Sequence, residues 1–402
     1  MNILFLSIGN LKNLSQKGLY PDLVRQFRSK GHEVYVVCAN ERRNAKETQL
    51  TKESDIHVLR VKTGNLTRVN LLEKGISTLL VETQFKAAIR KFFGRVCFDL
   101  VLYSTPPITF CNVIDYIRKR DGAKSYLLLK DIFPQNAVDI GMMKKSGPTA
   151  VLYKYFRAKE KKLYAISDRI GCMSQANVDY VLQHNPEVDP GKVELCPNSI
   201  EVEDMSVDAT VRKEIREKYE IPLDKKVFIY GGNLGKPQGI DFVLRCLEKL
   251  TAHDNAYFLI VGDGTEFKKL EAWFREHKPG NMKLLKKIVK ADYDRLAAAC
   301  DVGLIFLDHR FTIPNFPSRL LSHMQAKQPV LACTDPNTDV GQVITGGGFG
   351  WWCESNDPDG FASKVNEACK ADLTPMGEKG FAYLEDHYSV AKTSEQILKG
   401  LN

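Results

Sequence analysis

Residues 226–239 read KVFIYGGNLGKPQG, a short apolar strand that ends at Tyr230 and runs into four glycines, Gly231, Gly232, Gly235 and Gly239. Such glycines let the backbone come close to a ligand. A helix opening behind them presents free N–H groups to an anion, and Lys236 adds a point charge suited to a phosphate. No G-K-[ST] closes the loop and no G-x-G-x-x-G occurs in it, which disfavours simple nucleoside triphosphate hydrolysis and gives little support to a dinucleotide cofactor. The alternative is a glycine turn that serves only tight strand–helix packing.

Outward from this stretch, short β-branched runs alternate with helix-period segments in both directions. Strands are expected near 2–8, 33–38, 56–61, 99–103, 125–129, 169–172 and 193–195, then near 226–230, 256–261, 282–285, 302–307 and 329–332. Helices are expected between them, among others at 18–30, 71–93, 109–120, 240–250, 266–276, 292–299 and 318–326. Continuous apolar strands alternating with helices predict parallel sheets covered on both faces. The polar stretch 198–210 divides the chain into an N-terminal domain, 1–200, and a C-terminal domain, 201–386. A last helix, 387–402, is expected to pack back on the first domain. Ligands of such sheets bind beyond the carboxyl ends of the strands, so the loops there are the candidates for chemistry.

Three loops follow strands of the second half. The first is the glycine stretch itself. Gly262 and Gly264, around Asp263, would line the same crevice from the next strand end. Pro317-Ser318-Arg319 opens a helix, with Ser318 as its cap; Arg319 opposes the helix dipole there by about 0.3–1 kcal/mol, a cost that a bound phosphate would offset. In the first half, Lys130-Asp131 follows an apolar strand. Asp131 can position or deprotonate a hydroxyl, or stabilise a cationic sugar; a structural ion pair or turn cap is the alternative. Ser104-Thr105-Pro106-Pro107 and the loop from Asn10 to Gly18 are the other candidates on that side.

The 402 residues carry a net charge of +8. Residues 1–200 hold 31 Lys and Arg against 19 Asp and Glu, whereas residues 201–402 hold 26 against 30. A basic first half facing anionic lipid headgroups or an acidic substrate is implied. Two segments, 85–95 and 153–163, interleave aromatics with cations and are expected either to touch an anionic membrane or to pack on the domain with solvated lysines. Nucleic-acid binding lacks a motif. The ten cysteines form no paired spacing, so neither zinc nor a disulfide framework is expected and a reducing cytoplasm fits. The histidines show no ligand spacing. The N-terminal apolar run reads as a strand rather than a leader, and no stretch reaches the roughly 18 apolar residues of a membrane span.

In order and spacing, these loops resemble glycosyltransferase family 4. Gly31-His32-Glu33-Val34, Pro197-Asn198-Ser199-Ile200, Gly232-Asn233-Leu234-Gly235, Val261-Gly262-Asp263-Gly264, Ala299-Cys300-Asp301-Val302 and Pro317-Ser318-Arg319-Leu320 carry the resemblance over nearly the whole chain. It implies a GT-B fold, two Rossmann-like domains facing across a cleft, and a retaining transfer without metal or cofactor. The donor would be a nucleotide-diphosphate sugar, UDP-linked, held by Gly232, Asn233, Gly235, Lys236, Gly239, Gly262, Gly264, Ser318 and Arg319. Gly18, Ser104 and Thr105 would lie on the acceptor side, with Asp131 and Lys130 at the reacting centre.

The chain departs from the family pattern at several points. The family's E-x7-E pair falls near Pro314 and Ser322. Asn233 replaces the arginine of its phosphate loop, Pro237 or Gln238 the lysine, and Lys130 a histidine. These changes resemble bacterial surface-polysaccharide and O-antigen amino-sugar transferases, which implies a lipid-linked glycan acceptor and a peripheral place on the inner face of the cytoplasmic membrane. A UDP-sugar 2-epimerase of the same fold and a non-catalytic nucleotide-binding scaffold are the rival readings.

Overall fold

The computed structural model describes every residue except 10, 12, 66–70, 148–149 and 402, and leaves the side chains of 71–76 and 79 undescribed. The chain forms two units, Met1–Glu201 with Ser389–Asn402, and Val202–Tyr388.

The first unit is built on β1 (Asn2–Ser7), β2 (Glu33–Glu41), β3 (Gln49–Glu53), β4 (Ile56–Thr63), β5 (Leu100–Ser104), β6 (Lys124–Leu129), β7 (Arg169–Cys172) and β8 (Val193–Leu195). Their order is β3-β4-β2-β1-β5-β6-β7-β8, parallel except for β3 against β4. The strand order reverses between β1 and β5, the kind of switch point beyond whose carboxyl ends such sheets bind ligands. Ile3, Phe5, Val34, Val36, Leu100 and Leu102 share a buried cluster with Val390 and Ile397 of the helix Val390–Lys399. Val390 N–H donates to Ile200 O at 2.9 Å, and Lys30 pairs with Glu395 at 3.0 Å.

The second unit holds β9 (Lys226–Asn233), β10 (Ala256–Asp263), β11 (Met282–Lys286), β12 (Val302–Phe306), β13 (Val330–Thr334) and β14 (Gly350–Glu354), all parallel in the order β11-β10-β9-β12-β13-β14. Both units are Rossmann-like, and here the order reverses between β9 and β12. The core's main polar anchor is Asp301, just before β12. Its carboxylate accepts from Arg216 at 2.5 Å, from Arg212, and from Val227 N at 2.7 Å. These partners hold its carboxyl below the ordinary value although burial opposes them. Trp351 packs against the core, and Trp352 donates to Thr334 Oγ1 at 2.9 Å.

Of the two readings open for the segment 85–95, the packing matches the second, in which the aromatics pack on the domain. On the helix Leu71–Phe92, Phe85 and Ile89 are fully buried, and Phe93 just beyond it is nearly so. Phe85 lies tilted against Phe110 at 5.0 Å and Phe93 meets Tyr35 edge-on at 5.2 Å, so the phenylalanines at both ends of the 85–93 stretch are packed inside, while Phe92 is half-buried and Ala87, Arg90 and Lys91 are exposed.

Candidate functional site

In the second unit the glycine stretch is more strand than loop. β9 stays paired past Tyr230, with Gly231 opposite Val261, Gly232 opposite Gly262 and Asn233 opposite Asp263. The ladder continues because β10 is also glycine-bearing there: a Cβ on Gly262 would sit 2.1 Å from Gly232 O, and one on Gly264 would sit 2.3 Å from Leu234 O. Gly262 and Gly264 therefore allow backbone to lie on backbone. A 3-10 turn, Lys236–Gln238, intervenes before the helix Ile240–Lys249, so the helix start is set back from Gly231 and Gly232. Gln238 Oε1 accepts from Asn233 Nδ2 at 2.9 Å and from Gly235 N at 3.2 Å, which closes the turn, and Gly239 caps the helix at φ 60°. Lys236 is exposed, and its ammonium has no partner among the described residues.

Arg319 folds back over this strand end. Its guanidinium carbon lies 4.5 Å from the Tyr230 ring centroid, and Nη1 donates to Gly231 O at 2.9 Å. Tyr293 closes the other side: a Cβ on Gly231 would fall 2.0 Å from its ring atoms. Burial raises the phenols of Tyr230 and Tyr293, while the arginine pulls both down. The remaining guanidinium donors are thus held in a fixed fork, the geometry that suits a phosphate or carboxylate. Ser318 does not cap its helix as expected. Its φ of −64° and ψ of −19° are already helical, and no side-chain cap bond forms; a capping hydroxyl needs extended backbone.

Several groups near Arg319 carry no signal in the sequence. Asp335, at the end of β13, is fully buried. Oδ1 accepts from Asn337 N at 2.9 Å and Thr338 N at 3.2 Å, Oδ2 has no partner, and burial pushes the carboxyl up to about 6. The turn it organises is tied to the chain segment that precedes the Arg319 helix, through Thr338 Oγ1 to Asn315 O at 2.5 Å and Asn337 Nδ2 to Phe311 O at 2.6 Å. His323 is buried behind, hydrogen-bonded to Gln328 at 2.6 Å and pushed down to about 4 by burial, so it is neutral.

In the first unit, Thr105, Lys130 and Asp131 come together. Thr105 Oγ1 accepts from Lys130 N at 2.9 Å and Asp131 N at 3.1 Å. The side chains of Lys130 and Asp131 do not pair. Lys130 Nζ donates to Cys196 O at 3.2 Å, and burial lowers its pKa. The Asp131 carboxylate accepts from Asn136 Nδ2 at 2.6 and 2.8 Å, and burial pushes it up to about 6. A carboxyl at that value exchanges a proton near neutral pH. Ser104 is buried and bonds Tyr20. Gly18 precedes the helix Leu19–Ser29, and its N–H donates to the buried Asp22 at 3.0 Å. Of the loop between Gly9 and Gly18, Asn10 and Lys12 lie outside the described residues.

Comparison with known proteins adds to this geometry. The family model described as Glycosyltransferase Family 4 matches residues 22–204, and that described as Glycosyl transferases group 1 matches residues 211–379. The "Probable glycosyltransferase WbjE" of Pseudomonas aeruginosa is 27% identical over 322 residues, which cover 79% of this chain and 78% of that protein. The "Putative colanic acid biosynthesis glycosyl transferase WcaI" of Escherichia coli (strain K12) is 23% identical over 247 residues, 59% of this chain and 58% of that protein. Among solved structures, Alr3699/HepE of Anabaena in complex with UDP and glucose superposes with a TM-score of 0.72 at 14% identity, covering 100% of this chain and 99% of that one; it shares the fold. With one family model on each half, the chain belongs to the glycosyltransferases of family 4 and has their GT-B fold.

Proposed function

We propose that the chain moves an N-acetylated amino or deoxyamino sugar from a UDP-linked donor to a lipid-linked glycan, with retention, during synthesis of a bacterial surface polysaccharide such as O-antigen or capsule. The observation that carries this reading is Arg319, fixed between Tyr230 and Gly231 with donors to spare at the carboxyl edge of a Rossmann-like sheet. There it would meet the donor diphosphate and stabilise the charge left when the sugar departs, with Lys236 adding a second cation. Protein cations replace a metal ion in this scheme. The acceptor hydroxyl attacks from the face the nucleotide leaves, and Asp131 orients it or takes its proton. Support for the polysaccharide comes from the name of WcaI, and support for UDP from the ligand of HepE. Among the described residues no helix is long and apolar enough to cross a membrane, and a peripheral place at the cytoplasmic face is part of the proposal.

A thermal-shift titration with UDP, GDP and ADP, with and without EDTA, tests it. A UDP-selective rise that EDTA leaves unchanged is expected. No rise with any nucleotide would mean that the second unit does not hold a donor, and a non-catalytic role would follow.

A further inference from the structure

The helix Ala150–Ile166 carries its first turns into solvent, where Val151, Leu152 and Tyr155 are 74%, 49% and 38% exposed. At 3.6 residues per turn these three fall within an arc of about 100°, and Lys159 and Lys162 continue the same arc toward the C-terminus. Lys159 Nζ lies 5.6 Å from the Tyr155 ring. From the preceding segment Lys145 Nζ comes within 5.6 Å of the Tyr153 ring, and Met142 is 57% exposed. Residues 142–162 contain seven Lys and Arg and a single acidic residue, Glu160. That carboxylate is buried and turned inward, paired with Arg157 at 2.5 Å and accepting from Tyr164 at 2.9 Å.

Single exposed apolar side chains are ordinary. Here they cluster at one projecting helix end, flanked by lysines, with the one acid withdrawn. A protein partner would need a contact area of roughly 1,200 Å² or more, which a single helix tip does not offer. A bilayer boundary needs only that apolar atoms enter while flexible lysine stems keep their ammonium groups at the phosphates. Charge complementarity therefore selects anionic lipid.

We propose that Val151, Leu152 and Tyr155, with Lys144, Lys145, Lys154 and Lys159, form the surface by which the first unit docks on an anionic bilayer. This deepens the reading that the acceptor is lipid-linked, and rests on it for its purpose. The flank of the helix ties the tip to the reacting segment: Phe156 packs edge-on against Phe133 at 5.0 Å, two residues beyond Asp131. On the helix Leu71–Phe92, Val81, Phe85 and Ile89 are buried in the core, so its C-terminal half is given no part in docking, although Leu80 is 51% exposed.

The test is co-sedimentation of the full chain with phosphatidylcholine vesicles, with and without phosphatidylglycerol, beside a UDP thermal shift on the same preparation. Binding is expected only with phosphatidylglycerol and is released by high salt. Each lysine contributes about fivefold, so K144Q/K145Q/K154Q weakens binding about a hundredfold; V151E/L152E abolishes it with the UDP shift intact, and K86Q/R90Q/K91Q leaves it unchanged. Wild-type protein that ignores phosphatidylglycerol, V151E/L152E binding like wild type, or a tip that instead mediates self-association would overturn the proposal. UDP binding without vesicle binding sinks the docking surface alone. Vesicle binding without a UDP response sinks the transferase reading alone.

Discussion

Arg319 and Tyr230 form a cation–π pair, guanidinium carbon to ring centroid 4.5 Å, in which the same arginine also binds Gly231 O at 2.9 Å. The pair fixes a long side chain before any ligand arrives, so little rotamer entropy remains to be lost on binding. A hydrogen bond to a charged group is worth about 1.5–3 kcal/mol, so Arg319→Ala should weaken UDP roughly ten- to a hundredfold. Arg319→Lys should fall between, since it keeps the charge and loses the fork. Calorimetric titration reads both, and an Arg319→Ala affinity equal to wild type would remove the residue from the donor site.

Gly231 has no room for a side chain because Tyr293 occupies it. Gly231→Ala should lower the stability of the second unit by about 1–3 kcal/mol, the range for overpacking. Combined with Tyr293→Ala the methyl should cost far less, a coupling that a double-mutant cycle in thermal unfolding measures. Additive effects would show that the ring moves aside freely.

Asp131 is held at about 6 against an ordinary 3.8 by burial. The folded state thus favours the protonated acid, a contribution present below 3.8 and lost as pH rises through about 6. Asp131→Asn should flatten the fall in melting temperature across that window. The flattening should be partial, because Asp335 titrates in the same range. If Asp131 handles the acceptor proton, turnover should drop about 10²–10⁴-fold and lose its acidic limb near that value. Full turnover in Asp131→Asn would confine the residue to structure.

Asp301→Ala leaves Arg216, 2% exposed, without its carboxylate. Removing one member of a buried pair costs about 3–5 kcal/mol, so the second unit should melt early while the first retains its transition. The carboxyl of Asp301 is lowered, so its contribution holds above the ordinary 3.8 and is lost as pH falls below it. Acid unfolding that is the same in the variant and wild type would contradict this.

The strand–helix alternation was legible because buried parallel strands are unbroken apolar runs, as in Phe228 to Tyr230 or Leu127 to Leu129. Gln49–Glu53 was not, since QLTKE is a mostly exposed edge strand with no apolar alternation. The strand Gly350–Glu354 was not among those expected either. The glycine motif read as a loop, yet its first residues are strand, a state fixed by the matching glycines of β10. Arg319 was legible from its place after a proline-rich loop. Tyr230 and Tyr293 were not, because their contacts with Arg319 and Gly231 span tens of residues of sequence, and the burial of Asp335 arises from the fold around its turn. Asp301, read as part of a motif, is an internal anchor. Lys130-Asp131 read as a pair, but Thr105 holds their backbone and the two side chains diverge to Cys196 and Asn136.

The helix Val390–Lys399 completes the hydrophobic interior begun by Ile3 and Phe5, with the whole second unit translated in between. During synthesis the first unit's interior stays open until Val390 and Ile397 have been made, whereas Val202–Tyr388 has all of its own residues before then. A chain cut anywhere before Val390 would therefore leave the interior around Ile3 and Phe5 without one of its walls, while every strand of the second unit is already present.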